Sequence, residues 1–185
     1  KKSKKVSTIS EGMKWKIAQK GIKNTDIVLF PNWVDINEIT PLPRHKSLRS
    51  TFGLSDDDKV ILYSGNLGEK QGLEILIKVA EKFIENKNIR FIICGTGGGK
   101  DKLIQMANIA NLYNVSFYPL QPYSKMSSLL ATADVHLVLQ KKSASDLVMP
   151  SKLTGILSSG GCAIVTTLPN TTLYNVIKEY DMGIL

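Results

Sequence analysis

Three short stretches of this 185-residue chain carry side chains suited to holding an anion. The first is Gly65-Asn66-Leu67-Gly68-Glu69-Lys70-Gln71-Gly72. Its glycines let a ligand approach the backbone, and Lys70 stands beside the start of a helical pattern, where free N–H groups and the positive end of the helix dipole lie. An ordinary glycine turn with a solvated lysine accounts for the same residues. The second is Gly95-Thr96-Gly97-Gly98-Gly99, directly after the apolar run Phe91-Ile92-Ile93-Cys94. It has the glycine density of a phosphate loop but completes neither Gly-x-Gly-x-x-Gly nor the Walker A pattern, and a tight turn into a helix fits it equally. The third is Asp146-Leu147-Val148-Met149-Pro150-Ser151-Lys152-Leu153. Pro150 suits a first helical turn, where its missing N–H costs nothing. Ser151 and Lys152 then stand where hydroxyl, ammonium and backbone donors converge. Packing alone does not explain Pro-Ser-Lys followed by Gly160-Gly161 and an apolar strand, which makes this loop the most specific of the three.

In an open α/β sheet such loops lie at the carboxyl ends of strands, where ligands bind. The elements that must place them are visible as an alternation of two periods. Short runs rich in Val, Ile and aromatic residues predict strands over 59–63, 89–94, 115–117, 135–139 and 163–167. Between them, apolar residues recur at helical spacing. One stripe is Leu73, Leu76, Ile77, Ala80, Phe83 and Ile84; a second is Leu103, Met106, Ala107 and Ala110; a third is Met126, Leu129, Leu130 and Ala133. This alternation predicts an α/β fold: a Rossmann-like, doubly wound parallel sheet with helices on both faces. The first residues read separately, as a strand over 6–9, a helix over 11–20 closed by Gly21, and a strand over 27–31. Pro31, Pro41 and Pro43 then cluster in a polar stretch and mark a boundary. Residues 1–31 are therefore expected to belong to a preceding domain and its linker, and 32–185 to the sheet domain. The start without Met is consistent with a piece of a longer chain, and the end at Gly183-Ile184-Leu185 reads as a strand cut short, so truncation at that end is expected.

Apolar residues make up 43% of the chain, a composition that excludes a disordered protein. No apolar run approaches the length needed to span a bilayer. The basic start Lys1-Lys2-Ser3-Lys4-Lys5 is followed by no long apolar stretch, so no signal peptide is expected. The net charge is +8, from 24 basic and 16 acidic residues. Such a surplus favours anionic partners, whether nucleic acid, an acidic membrane or phosphorylated small molecules, although a solvated basic surface is the plainer account. No basic-plus-aromatic recognition motif accompanies it, so nucleic acid is not the expected partner. Cys94 and Cys162 each sit in an apolar run and are expected to be buried free thiols in a reducing cytosol. His45 and His136 have no ligand-like spacing to them, and no metal site is expected.

Six segments follow one another in a telling order: Ser7-Thr8-Ile9-Ser10-Glu11-Gly12-Met13, Phe30-Pro31-Asn32-Trp33-Val34-Asp35, the Tyr63 to Gly72 loop, 91–97, Ala133-Asp134-Val135 and Pro150-Ser151-Lys152. Each is common singly. In this order and spacing they resemble the C-terminal domain of retaining GT-B glycosyltransferases, and most closely the colanic-acid-biosynthesis type that builds bacterial exopolysaccharides. The first segment looks like the last strand and following helix of that family's N-terminal domain. The second is similar to the Pro-Asn-Gly-Val-Asp that opens its C-terminal domain, the third to its phosphate loop, and the last to the start of its donor-binding helix. Two departures stand out. Asn66 occupies the place of an arginine that contacts the donor diphosphate, leaving Lys70 of the usual Arg-and-Lys pair. Leu147 and Gly155 occupy the places of two glutamates, the second of which normally binds the ribose hydroxyls.

The resemblance implies transfer of a sugar from a nucleoside diphosphate sugar, a uridine diphosphate sugar, to a glycan or lipid-linked acceptor in bacterial polysaccharide biosynthesis. It implies that Gly65, Asn66, Lys70, Ser151 and Lys152 surround the donor diphosphate, with Lys70 the catalytic cation. It places Gly95, Gly97, Pro119, Leu120 and Gln121 about the nucleotide, with the base along the main chain of the last three. Fixed donors and a lysine stabilise a departing diphosphate without a metal, and no Asp-x-Asp motif occurs, so neither metal nor other cofactor is expected. The acceptor falls to the N-terminal domain, so the chain alone is expected to be inactive. The resemblance also implies a cytoplasmic location, with peripheral association at the inner face of the membrane. Three rival readings remain at this point. A sugar-nucleotide epimerase of the same architecture needs acid/base carboxylates or histidines in the cleft. A dinucleotide dehydrogenase needs a full Gly-x-Gly-x-x-Gly after its first strand. A non-catalytic basic binding module would act through the +8 charge.

Overall fold

The computed structural model describes residues 3–142 and 149–185. Near the start, β1 (Val6–Thr8) and β2 (Ile27–Leu29) pair in parallel as a small sheet of their own, joined through α1 (Glu11–Ala18). Ser10 caps α1 by accepting a 3.3 Å hydrogen bond from the Met13 N–H. Five further strands form one parallel sheet: β3 (Lys59–Asn66), β4 (Ile89–Thr96), β5 (Val115–Tyr118), β6 (Val135–Val138) and β7 (Ala163–Val165). Their order across the sheet is β5-β4-β3-β6-β7. The connecting helices are α2 (Glu74–Lys82), α3 (Lys100–Ile109), α4 (Met126–Leu130) and α5 (Lys152–Ser158), and α6 (Thr172–Tyr180) follows β7. This is the doubly wound α/β sheet that the alternation predicts.

The two-residue period of the strands sorts the core. Tyr63, Phe91 and Ile93 pack with Leu73, Leu76 and Ile77 of the α2 region and with Leu103 of α3. Val60, Leu62, Ile92 and Cys94 point the other way, onto Leu48, Phe52 and Leu129. A third cluster joins Val138, Ala163 and Val165 to Leu153 and Ile156 of α5 and to Leu173 and Ile177 of α6. Burying residues of this kind contributes about 1.5–3 kcal/mol each. At the amino ends of the strands, Asp134 holds them in register. One carboxylate oxygen accepts from the Val60 N–H at 2.7 Å, and the other pairs with Arg44 at 2.7 Å, while buried Arg49 reaches the first at 3.5 Å.

The chain winds from β3 outward through β4 and β5, then returns to the other side of β3 for β6 and β7. The reversal falls between β3 and β6, the position at which open α/β sheets form a crevice. These two strands pair only at Ile61↔Val135 and Leu62↔His136, so their carboxyl ends are not paired with each other.

Several boundaries differ from those expected. β3 and β4 run on to Asn66 and Thr96, because Gly65 pairs with Gly95 and Asn66 with Thr96. A Cβ on Gly95 would stand 1.9 Å from the Gly65 carbonyl oxygen, so the missing side chain is what lets the ladder continue. β7 stops at Val165, since the Thr166 hydroxyl turns to the Gln140 N–H at 2.9 Å. Cys94 is buried as expected, but Cys162 is exposed, because it precedes β7 on the turn that follows Gly160 and Gly161. Near the end of the chain, Ile184 bridges to Ile164 in parallel beside β7.

Candidate functional site

A cleft of about 650 Å³ opens at the carboxyl ends of β3 and β6. Gly65 and Asn66 enter it from the end of β3 and Lys70 from the loop that follows, Ser151 and Lys152 from the start of α5, and Leu120 and Gln121 from the loop after β5. The sequence reading thus brings two of its three loops, and part of the nucleotide loop, to one place. The second stretch, Gly95 to Gly99, is not among them. Gly95, Gly97 and Pro119 are not among the residues that line the cleft. Gly95 is spent on the β3–β4 ladder. Gly97 has φ +153°, and a Cβ there would meet the Leu67 backbone at 2.7 Å. These glycines serve close packing of two strand ends, the plain-turn reading of that loop. Pro119 is exposed, and its carbonyl accepts from Cys94 Sγ and from Gln121 Nε2, each at 3.0 Å, which fixes the loop carrying Gln121. Of the two glutamate positions, Gly155 lines the cleft and Leu147 lies outside the described residues.

The two lysines differ in kind. Lys70 stands exposed at the rim, and its backbone carbonyl accepts from the Lys141 N–H at 2.9 Å. Lys152 is drawn in. Its Nζ lies 3.7 Å from the centroid of the Tyr63 ring, is closed off from solvent, and has no hydrogen-bond partner. Burial lowers its pKa to about 8 from 10.5. The Tyr63 face offers a cation–π contact but no hydrogen-bond acceptor. Tyr63 is itself immobilised, donating from its hydroxyl to the Asn66 carbonyl at 2.8 Å, and burial raises its pKa. Gly65 is what admits the ammonium, since a Cβ at that position would stand 3.2 Å from Nζ. An unpaired buried ammonium beside an open cleft is a site for an anion. Sequence reasoning assigned the leading cation to Lys70; the buried one is Lys152. Nothing in the spacing marks Tyr63 as its seat.

Other cleft residues escaped the sequence reading. Gln71 and Gln140 line it, each with a buried Oε1 that has no partner. Asn32 donates from Nδ2 to the Met149 carbonyl at 3.0 Å and so ties the segment after β2 to the segment before Pro150. Trp33 forms part of the wall. Among the described lining residues Asp35 is the one carboxylate, and there is no histidine. The acid/base pair that an epimerase needs is therefore not assembled by them. The packing role of Gly95 and Gly97 likewise removes the dehydrogenase reading of that loop.

Residues 45–185 match the family described as glycosyl transferases group 1. The chain belongs to that family. The chain is 44% identical over 177 residues to the putative colanic acid biosynthesis glycosyl transferase WcaI of Escherichia coli K12, covering 95% of this chain and 43% of that protein. It is 28% identical to the alpha-galactosylglucosyldiacylglycerol synthase of Streptococcus pneumoniae, over 86% of this chain and 42% of that one. It therefore spans less than half the length of these curated relatives. Among solved structures, Anabaena HepE in complex with UDP and glucose superimposes with a TM-score of 0.75 at 19% identity, over 96% of this chain and 53% of that one. WaaG, a glycosyltransferase involved in lipopolysaccharide biosynthesis, also gives 0.75 at 18% identity, over 98% and 49%. At such identities the likeness speaks for the fold, that of the Rossmann-like domains of GT-B glycosyltransferases. As a group 1 family member, this chain carries the cleft at the switch point of that fold. Among the described residues no helix is long and apolar enough to cross a membrane, and no group of three or more His, Cys, Asp or Glu is placed to hold a metal.

Proposed function

We propose that this chain is the donor-binding domain of a glycosyltransferase that moves a sugar from a nucleoside diphosphate sugar, with UDP as the carrier, to a glycan or lipid-linked acceptor in bacterial polysaccharide biosynthesis. The observation that carries the reading is Lys152: a buried, unpaired ammonium at the switch-point cleft of a group 1 family member. In the reaction the bond between the anomeric carbon and the diphosphate breaks, and the diphosphate leaves with the electron pair. Positive charge fixed beside it stabilises that negative charge as it develops. Lys152 supplies this charge, in the absence of an arginine at Asn66. Lys70, at the rim, adds a mobile second cation, and the Ser151 hydroxyl and the backbone around it complete the cradle. The base lies along Pro119-Leu120-Gln121. The colanic-acid relative and UDP in the HepE complex support the substrate class. In this reading residues 1–31 are the remnant and linker of an N-terminal domain that holds the acceptor, and the chain alone binds donor without transferring sugar. The protein works in the cytoplasm, at the inner face of the membrane where lipid-linked acceptors are met, and needs no metal.

Calorimetric titration with UDP tests the assignment. Lys152→Met is expected to weaken binding by about 2–3 kcal/mol, the range for a charge-assisted hydrogen bond, and Lys70→Ala by about 1 kcal/mol or less, as for an exposed ion pair. Equal losses would return the leading role to a shared pair of lysines. No loss in either variant would remove the site.

A further inference from the structure

Besides the Lys152 ammonium, two cleft-lining side chains keep a buried polar atom without a partner: the Oε1 atoms of Gln71 and Gln140. Leaving such a group unpaired is costly, and two in one cleft mark a place that a ligand completes. The two side chains are set there together by the backbone. The Lys141 N–H donates to the Lys70 carbonyl at 2.9 Å, so the residues next to this tie, Gln140 and Gln71, flank the same junction between the loops after β6 and β3. The Gln140 backbone is further held by the Thr166 hydroxyl at 2.9 Å.

The chemistry of the amides narrows what meets them. A diphosphate carries acceptors only, and it can satisfy the N–H groups of an amide but not its carbonyl. A hydroxyl donates to the carbonyl and accepts from the N–H, so it satisfies both. Sheet order then says which hydroxyls these are. Gln121, on the nucleoside side, follows β5; Gly65 and the Lys152 ammonium stand at β3; Gln140 follows β6, beyond them. Gln71 follows β3 and is joined to Gln140 by the Lys141–Lys70 tie, so a donor laid across the sheet in that order carries its sugar, not its ribose, past the diphosphate place to the junction between the two glutamines.

Resting on the donor-cleft reading above, we propose that Gln71 and Gln140 form a sugar-reading pair, which holds hydroxyls of the transferred sugar and contributes to the choice among donors. The test is calorimetry of the chain with UDP and with a panel of UDP-glucose, UDP-galactose and UDP-N-acetylglucosamine. Gln71→Met and Gln140→Met keep the side-chain length and remove the amide. Each is expected to weaken the tightest-bound UDP-sugar about fivefold, as for loss of a net hydrogen bond of about 1 kcal/mol, while changing UDP affinity less than about twofold. Gln71→Ala and Gln140→Ala serve if a methionine variant does not fold. Equal loss of UDP and UDP-sugar would assign the hydroxyls to the ribose and overturn the pair's role, and unchanged binding of both would overturn it as well. A wild-type chain that binds neither UDP nor any UDP-sugar would instead bring down the donor-cleft reading itself, and this proposal with it.

Discussion

Lys152 keeps its ammonium in a place where folding alone gives no reason for it. Its pKa of about 8 lies below the ordinary 10.5, so the folded chain disfavours the charged form. The difference corresponds to about 3 kcal/mol, present in full below pH 8 and fading as pH rises toward the unfolded value. Two outcomes follow. Lys152→Met should raise thermal stability at pH 7 while it weakens UDP, a trade expected where function keeps a costly group. In the wild type, UDP affinity should hold steady from pH 6.5 to about 8, then fall by up to about tenfold per pH unit as the free ammonium loses its proton. Calorimetry across that range checks this, and a profile matching that of Lys152→Met would show that the ammonium takes no part. The sequence made Ser151 and Lys152 visible because Pro-Ser-Lys is an unusual helix start. It did not show that Lys152 outranks Lys70, because burial depends on Gly65 and Tyr63, which come from a strand nearly ninety positions away.

The strand ends show the same division between what spacing reveals and what packing decides. Periodicity located all five strands of the main sheet, but β3 and β4 were read short because glycine scores as a turn. Here Gly65 and Gly95 continue the ladder instead. The glycine run from 95 to 99 looked alike along its length, yet its members differ sharply in their surroundings. A Cβ on Gly95 would lie 1.9 Å from the Gly65 carbonyl oxygen, while one on Gly98 would meet nothing within 4 Å. Gly95→Ala should therefore cost about 3 kcal/mol or more, the range of severe overpacking, and disturb the cleft through Gly65. Gly98→Ala should stay within about 0.5 kcal/mol of wild type. Chemical denaturation of the two variants checks the contrast. Similar midpoints for both would mean that the strand ends are slack and that the ladder does not set the position of Gly65.

The stability of the whole fold carries a pH signature from a residue outside the cleft. His136 on β6 is buried, its Nε2 is unpaired, and burial lowers its pKa to about 4 from 6.5. The fold therefore holds it neutral, and the unfolded chain takes up the proton first. Stability is unaffected above pH 6.5 and declines as pH falls from 6.5 toward 4, by about 3 kcal/mol in all. His136→Leu should flatten that part of the thermal-stability profile relative to wild type, and parallel profiles would show that His136 is not the sensor. His136 sits in the core because Gly161 leaves the room for its imidazole: a Cβ at Gly161 would lie 2.6 Å from Nε2. The strands expected over 6–9 and 27–31 are present as β1 and β2 and pair in a sheet of their own, with no residue of α1 buried. The cleft wall closes on Trp33, which is 74% exposed, while the chain's other tryptophan, Trp15, is 61% exposed on α1 and takes no part in the cleft. The molecule thus carries its own optical reporter: an occupant changes the emission environment of one indole and leaves the other as a built-in reference, so that Trp15→Phe would turn intrinsic fluorescence into a direct gauge of cleft occupancy.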